Sequence, residues 1–368
     1  MTRMGERSAE GFSFVASRAK MHQRRRGRRR DSVVLGWEWA LRRPRSAFWC
    51  VAALAGSTAL LLAGCSAGPS TSATRAAGLE KTKLTVAVLP LVDDAPLYAG
   101  LAAGVFTDLG LDVRPMVVKT GAEAVKLVAD RKVDVAVSSN TTIIMAAAEG
   151  TPLRIVAEAA LATRRSVDVL VRPDSGIESV RDLPGKRFAV GNLTCTCLLA
   201  VRARIRNLGV DPAKVTFVAV PQKEMPEALR TKKVDAVVTY EPWVTVAQTS
   251  FGARELFDPV SGPTSGLPLH SYIVNTAFAR ANPVTTAALQ RGLIASQRLA
   301  ADRRKVEAVI PQLTGVSPKI ASVISLPDFP TSVSVIRLQR IVDLLTSQHL
   351  LTTPVDVSDL VILPPEES

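Results

Sequence analysis

From Lys83 onward the chain alternates short β-rich runs with amphipathic segments, the pattern of a parallel sheet covered by helices. Five strands are predicted first: Leu84 to Leu89, Val113 to Val118, Val133 to Val137, Leu153 to Ala157 and Val167 to Val171. Helices over Pro96 to Phe106, Ala122 to Asp130 and Thr141 to Glu149 separate them. After Pro173 the pattern restarts, with strands at Arg187 to Val190, Val215 to Val220 and Val234 to Val238 and helices near Leu198 to Asn207, Glu224 to Thr231 and Pro242 to Gln248.

The two halves share a detail. Asp130-Arg131-Lys132-Val133-Asp134-Val135-Ala136-Val137 is echoed by Arg230-Thr231-Lys232-Lys233-Val234-Asp235-Ala236-Val237-Val238. In each, a helix ends in basic residues, which suit its negative C-terminal pole, and a buried strand follows at once. Gly110-Leu111-Asp112 and Gly209-Val210-Asp211 mark an earlier equivalent turn. The reading is two similar α/β lobes. Tyr272-Ile273-Val274 is a strand returning toward the first lobe, and the chain then turns helical over Val284 to Arg304, Lys305 to Gln312, Pro318 to Ser325 and Ser332 to His349. Val335, Leu338, Ile341, Val342 and Leu345 have helical spacing, so this tail is assigned a packing role.

The N-terminal segment follows a different logic. An uncharged stretch from Ala47 to Ala63 ends in Leu62-Ala63-Gly64-Cys65, after a cluster of arginines. Small residues before a cysteine suit a peptidase, and the thiol can take a diacylglyceryl group. This predicts a lipoprotein signal over 1–64 and Cys65 as a lipidated first residue, in preference to a plain signal anchor. The acyl chains would hold the protein at the outer face of the cytoplasmic membrane. Residues 65–82, rich in Ser, Thr, Ala and Gly, read as a flexible tether.

Charge then loses its apparent meaning. The formal charge is +13, but Met1 to Gly64 holds 13 basic and 4 acidic side chains. Arg24-Arg25-Arg26 and Arg28-Arg29-Arg30 fit a positive region ahead of an export signal, and no aromatic interleaving accompanies them, so no nucleic-acid partner is expected. Cys195 and Cys197 are the two cysteines after Cys65. Two apart on a helix, they would point roughly 200° apart, which argues against both facing one ligand atom. With only His270 and His349 beside them, no metal and no cofactor is expected.

Ligands of open α/β sheets sit beyond the carboxyl ends of the strands, where the next helices begin. The loops there carry Asp93, Asp94, Pro96 and Tyr98; Ser138, Ser139, Asn140 and Thr141; Asn192, Thr194, Cys195 and Thr196; and Tyr240, Glu241 and Trp243. The Ser, Thr and Asn residues can cap helices, contact a ligand, or both. Asp93, Asp94 and Glu241 suit an amine, a zwitterion or a ring with N–H donors. An anion would require them to point away or to pair with Lys119 or Arg164-Arg165. Tyr98, Tyr240 and Trp243 can stack on a ring or serve as ordinary packing.

Ala95-Pro96-Leu97-Tyr98, Gly104-Val105-Phe106, Gly110-Leu111-Asp112, Val133-Asp134-Val135-Ala136, Asp182-Leu183-Pro184-Gly185-Lys186 and Asp235-Ala236 leading to Glu241-Pro242 resemble, in order and spacing, the nitrate/sulfonate/taurine and thiamine-precursor-binding family of ABC-importer proteins. The resemblance implies an α/β, two-lobed type II periplasmic-binding-protein fold with a helical C-terminal tail. Its expected divisions are 83–171 for lobe 1, 172–268 for lobe 2, and 269–368 for the return and the tail. It implies no enzyme, but a monomeric receptor that captures a small polar solute and hands it to an ABC permease and its ATPase. Two departures stand out: Thr194-Cys195-Thr196-Cys197 replaces the usual Ser, Thr or Gly, and Asp93-Asp94 makes the first loop acidic. Related pyrimidine-precursor synthases carry a cysteine-rich stretch ahead of the C-terminal helices, where this chain reads Gly266-Leu267-Pro268-Leu269-His270-Ser271-Tyr272. A surface solute sensor is the other alternative.

Overall fold

A computed structural model describes residues 78–364. The expected signal, Cys65 and most of the expected tether lie outside this range. Two five-stranded sheets organise it. The first contains β1 (Lys83–Val88), β2 (Asp112–Val117), β3 (Val135–Ser139), β4 (Leu153–Leu161) and, last in sequence, β10 (Pro268–Asn275), in the order β2-β1-β3-β10-β4. The second contains β5 (Val167–Val171), β6 (Arg187–Val190), β7 (Thr216–Ala219), β8 (Ala236–Tyr240) and β9 (Arg254–Phe257), in the order β7-β6-β8-β5-β9. In each sheet three parallel strands are followed by an antiparallel one: β10 runs against β3, and β5 against β8. The lobes thus share one topology.

Among the described residues, ten helices have six residues or more: α1 (Ala95–Ala102), α2 (Gly121–Ala129), α3 (Asn140–Ala148), α4 (Thr196–Asn207), α5 (Met225–Arg230), α6 (Trp243–Phe251), α7 (Thr276–Ala281), α8 (Pro283–Leu299), α9 (Arg303–Thr314) and α10 (Val335–Ser347).

The sequence repeat has a structural counterpart. After α2 and α5 the chain reverses through Arg131 (φ 58°) and Lys232 (φ 61°), both left-handed. An aspartate then fastens the incoming strand to its neighbour. Asp134 accepts the Thr85 N–H at 3.0 Å and the Lys81 ammonium at 2.6 Å. Asp235 accepts the Arg187 N–H at 2.9 Å and its guanidinium at 3.2 Å.

Four expectations shift. The β5 strand, which a boundary at 171/172 leaves with lobe 1, hydrogen-bonds between β8 and β9, so the second sheet begins by Val167. Both faces of β5 are buried, and its own composition does not say in which sheet. The third strand runs on through Ser138 and Ser139, which places Ser139 at the N-cap of α3. The predicted helix from Pro96 to Phe106 breaks at Gly104 (φ 76°). The predicted helix from Pro318 to Ser325 is a single turn, Pro318–Ala321.

The tail reaches both lobes. Its last long helix, α10, buries Leu338, Ile341, Val342 and Leu345 in one apolar cluster with residues of α3 and α4. The Gln348 amide donates to the Leu199 carbonyl at 3.1 Å. The fully buried Glu158 carboxylate on β4 fixes the start of α10: it accepts the Ser334 N–H at 2.7 Å and the Arg337 guanidinium at 2.9 and 3.1 Å. Arg337→Ala strands that charge with the Ser334 N–H. It should cost about 2–4 kcal/mol in denaturant titration, below the full range for a buried pair because the arginine is partly exposed. A loss under about 0.5 kcal/mol, the range of ordinary surface changes, would show that α10 is held by its apolar face alone.

A second carboxylate ties stability to pH. Asp168 on β5 is buried, with one oxygen on the Val169 N–H at 3.0 Å and the other unpartnered. Burial, then the charges of Glu255 and Asp258, push its acid up to about 8. The unfolded value is about 3.9, so between the two the folded chain binds more protons and stability falls as pH rises. Asp168→Asn should remove this fall, raising Tm at pH 8 with little gain at pH 4. An equal gain at both pH values, read by thermal denaturation, would exclude the carboxylate as its source.

Candidate functional site

Three helix starts face one another where the lobes meet. In lobe 1, Thr120 caps α2 by accepting the Glu123 N–H, and Ser139 caps α3 by accepting the Thr142 N–H. In lobe 2, the Cys195 sulfur caps α4 by accepting the Leu198 N–H at 3.2 Å. Each start leaves backbone N–H groups without helical partners and carries the positive pole of its helix.

Between them lies a cavity of about 20 Å³, lined by Leu89, Leu91, Lys119, Thr120, Gly121 and Ser139 from lobe 1, Gly191, Asn192, Cys195, Gln222 and Tyr240 from lobe 2, and His270 from the returning strand β10. That volume admits a water-sized group or the head of a small solute. No carboxylate stands on its wall. At two glycines an added Cβ would displace a side chain at the wall: at Gly121 it would fall 2.6 Å from the Ser138 hydroxyl, and at Gly191 2.8 Å from Gln222 Nε2. The Gln222 amide is oriented by its oxygen, which accepts the Thr239 hydroxyl at 2.7 Å, and so its NH2 group lies on the Gly191 side.

The acidic residues are turned to other tasks. Asp93 lies 2.7 Å from His270 Nδ1, behind the cavity wall. Asp94 accepts the Leu89 N–H at 2.7 Å, and burial raises its pKa well above the ordinary value, which favours the neutral acid. Glu241 accepts the Thr245 N–H and hydroxyl and, across to the tail, the Ser325 N–H at 3.1 Å; burial raises its pKa too. All three tyrosines of the chain surround the aspartate pair. Tyr98 is pushed up to about 12 by burial and the Asp94 charge, Tyr272 is raised by burial and both aspartates, and Tyr240 by burial and Asp93. The Tyr240 ring meets His270 edge-on at 5.1 Å.

Four of the remaining predicted residues fasten the lobes together. The Thr196 hydroxyl accepts the Thr141 N–H and hydroxyl, both at 3.2 Å, and donates to the Leu269 carbonyl. The Thr142 hydroxyl reaches the Thr194 carbonyl and hydroxyl at 3.1 Å. Trp243 is buried and donates its indole N–H to the Pro90 carbonyl at 3.1 Å, and the Val92 N–H donates to the Glu241 carbonyl. These contacts describe a closed pair of lobes.

Of the predicted residues, then, Ser139, Asn192, Cys195 and Tyr240 reach the cavity wall. Asp93, Asp94 and Glu241 lie behind it, and Thr141, Thr194, Thr196 and Trp243 bridge the seam. Pro96 and Tyr98 are buried in α1, and Ser138 donates to the Gly121 carbonyl. Asn140 is buried with both amide atoms unpartnered. Asn192 also orders its own loop, accepting the Thr194 N–H at 2.8 Å.

The expected divergence of the two thiols is not found. Cys195 and Cys197 form a disulfide. The 200° separation assumes both residues are helical, whereas Cys195 is the extended N-cap (φ −75°, ψ 151°). Sequence reasoning offered Lys119 only as a partner for the acidic residues and did not assign Thr120, Gly121, Gly191, Gln222 or His270 to the site. The cap Thr120 with Glu123 three residues on was a readable signal for the first group. Gln222 and His270 carry no local signal.

Comparison with known proteins places these features. The family model described as "NMT1/THI5 like" matches residues 92–303. Comparison with curated proteins gives no match. Among solved structures, the alkanesulfonate-binding protein SsuA from Xanthomonas axonopodis pv. citri, bound to MOPS, aligns with TM-score 0.66 and 18% identity, covering 77% of this chain and 99% of that one. The periplasmic nitrate-binding protein NrtA from Synechocystis PCC 6803 gives TM-score 0.64 and 13% identity over 77% of this chain and 86% of that one. The periplasmic aliphatic sulphonate-binding protein SsuA from Escherichia coli gives 0.61 and 15% over 76% and 97%. At such identities the likeness speaks for the fold, and the matched span for the family. With more than half of its length under that family model and both lobes in the shared topology, the chain belongs to the NMT1/THI5-like family and has the type II periplasmic-binding fold.

Proposed function

We propose that this protein is the extracytoplasmic, lipid-anchored solute-binding component of an ABC importer, and that it closes its lobes on a small solute with an anionic head. One observation carries the choice of charge: three helix N-termini and Lys119 converge on a cavity whose wall has no carboxylate, while Asp93, Asp94 and Glu241 are engaged elsewhere. Positive helix poles and unpaired N–H groups suit an oxoanion such as a sulfonate or nitrate. The names of the neighbouring structures, which bind alkanesulfonates and nitrate, support the same class. Residues 83–166 with the return from Pro268 would form one jaw and residues 167–257 the other. Delivery to a permease and its ATPase would follow reopening.

Calorimetry on the full chain in detergent, with methanesulfonate, nitrate, sulfate, taurine and choline, tests the charge. An anion should bind, and Lys119→Ala should weaken it by roughly tenfold, as expected for one charge-assisted contact worth about 1.5 kcal/mol. Binding of choline alone, or an anion affinity indifferent to Lys119→Ala, would overturn the anion reading.

Anchoring is tested separately. Cys65→Ser should abolish incorporation of a labelled fatty acid and release the protein or leave it unprocessed. Label retained by the Cys65→Ser protein would remove the lipid anchor from the proposal.

A further inference from the structure

The disulfide between Cys195 and Cys197 stands at the seam where the lobes close. It joins residues only two apart in sequence. The chain entropy that a cross-link removes from the unfolded state grows with the loop it closes, so a ring this small contributes little by that route. Its effect must be local. It ties the extended N-cap of α4, a residue on the cavity wall, to the second residue of the helix proper. Thr196, held inside the ring, and Thr194, one residue ahead of it, take the hydrogen bonds from Thr141 and Thr142 across the seam. The same Cys195 sulfur is the acceptor for Leu198 N–H. Both cysteines are buried in the closed state, at 4% and 1% exposure.

We propose that this disulfide is a redox-sensitive positioning element of the solute site: oxidised, it holds the first turn of α4 in the geometry that meets the solute and lobe 1, and reduced, it lets that turn loosen. The reaction is thiol–disulfide exchange with a dithiol reductant. The first reductant thiolate attacks one cysteine sulfur, and the S–S bond breaks to a mixed disulfide. The second reductant thiolate then displaces the remaining cysteine. Two electrons and two protons pass to the protein, leaving Cys195 and Cys197 as thiols and the reductant as its cyclic disulfide. Because closure buries both sulfurs, exchange requires open lobes, and a bound solute should slow it. The protection and the contact with solute rest on the function proposed above, whereas the hold on the first turn of α4 and on the seam does not.

The experiment separates the two. In the full chain, alkylation with iodoacetamide before and after dithiothreitol counts the thiols, and hydrogen exchange follows the amides of residues 196–199. Exchange at these amides should rise about tenfold or more on reduction, as for a local opening that leaves the global fold intact, with the β1 and β3 amides unchanged. Methanesulfonate should bind the reduced protein and Cys195→Ser/Cys197→Ser more weakly than the oxidised protein, and should lengthen the half-time of reduction several-fold. Alkylation of Cys195 and Cys197 without reductant would overturn the proposal, as would exchange and affinity that are the same in both redox states. Should exchange rise on reduction while neither methanesulfonate nor the other anions bind, the positioning role stands and the anion reading falls. The reduced wild-type chain keeps the test valid if the double-serine variant does not fold.

Discussion

Helix starts that are brought against a dry surface must find acceptors for their N–H groups. This constraint, applied three times over in one small volume, governs the centre of the molecule. In solution water would satisfy the starts of α2, α3 and α4. With the lobes closed, side chains and the opposite lobe take over much of that task. Thr120, Ser139 and Cys195 cap from within. Thr196 accepts from Thr141 across the seam. Beside them the Asn140 side-chain amide lies buried with neither polar atom partnered. The packing of two polar surfaces against each other leaves a small gap between the helix starts, and that gap is where the proposed solute would sit.

The same logic explains the placement of the carboxylates. Negative charge near a helix start is favourable, and a bare carboxylate on this wall would compete with the solute for the same N–H groups. Asp94 is instead folded back onto the Leu89 N–H, Asp93 is set against the His270 ring, and Glu241 spans from α6 to Ser325 in the tail. Each acidic side chain thereby fastens a loop that shapes the cleft without presenting its charge there.

How much of this was readable depends on how local the determining contacts are. The strand and helix alternation, the doubled Asp134 and Asp235 motif and the cap residues are written in short segments, and the sheet pairing bears them out. The acidic loop was misleading because composition reveals charge without direction, and direction here is set by partners as distant as His270 and Ser325. Gln222 and His270 were invisible for a related reason: each reaches the wall from a turn or strand whose own sequence is unremarkable. β5 went to the other sheet because a strand buried on both faces carries no mark of its neighbours. The Cys195–Cys197 bond was hidden by treating the N-cap as though it were already helix.

The strands of the second sheet are contiguous from Val167 to Phe257, whereas the first sheet lacks its fourth strand until β10 ends at Asn275. A chain emerging from its N-terminus can therefore complete the second lobe from near neighbours while the first, though made earlier, waits. Its β3 and β4 edges stay open over that interval, unpaired and apolar, until one late strand inserts between them. The half that comes first in the sequence is thus the half whose sheet is completed by the later strand.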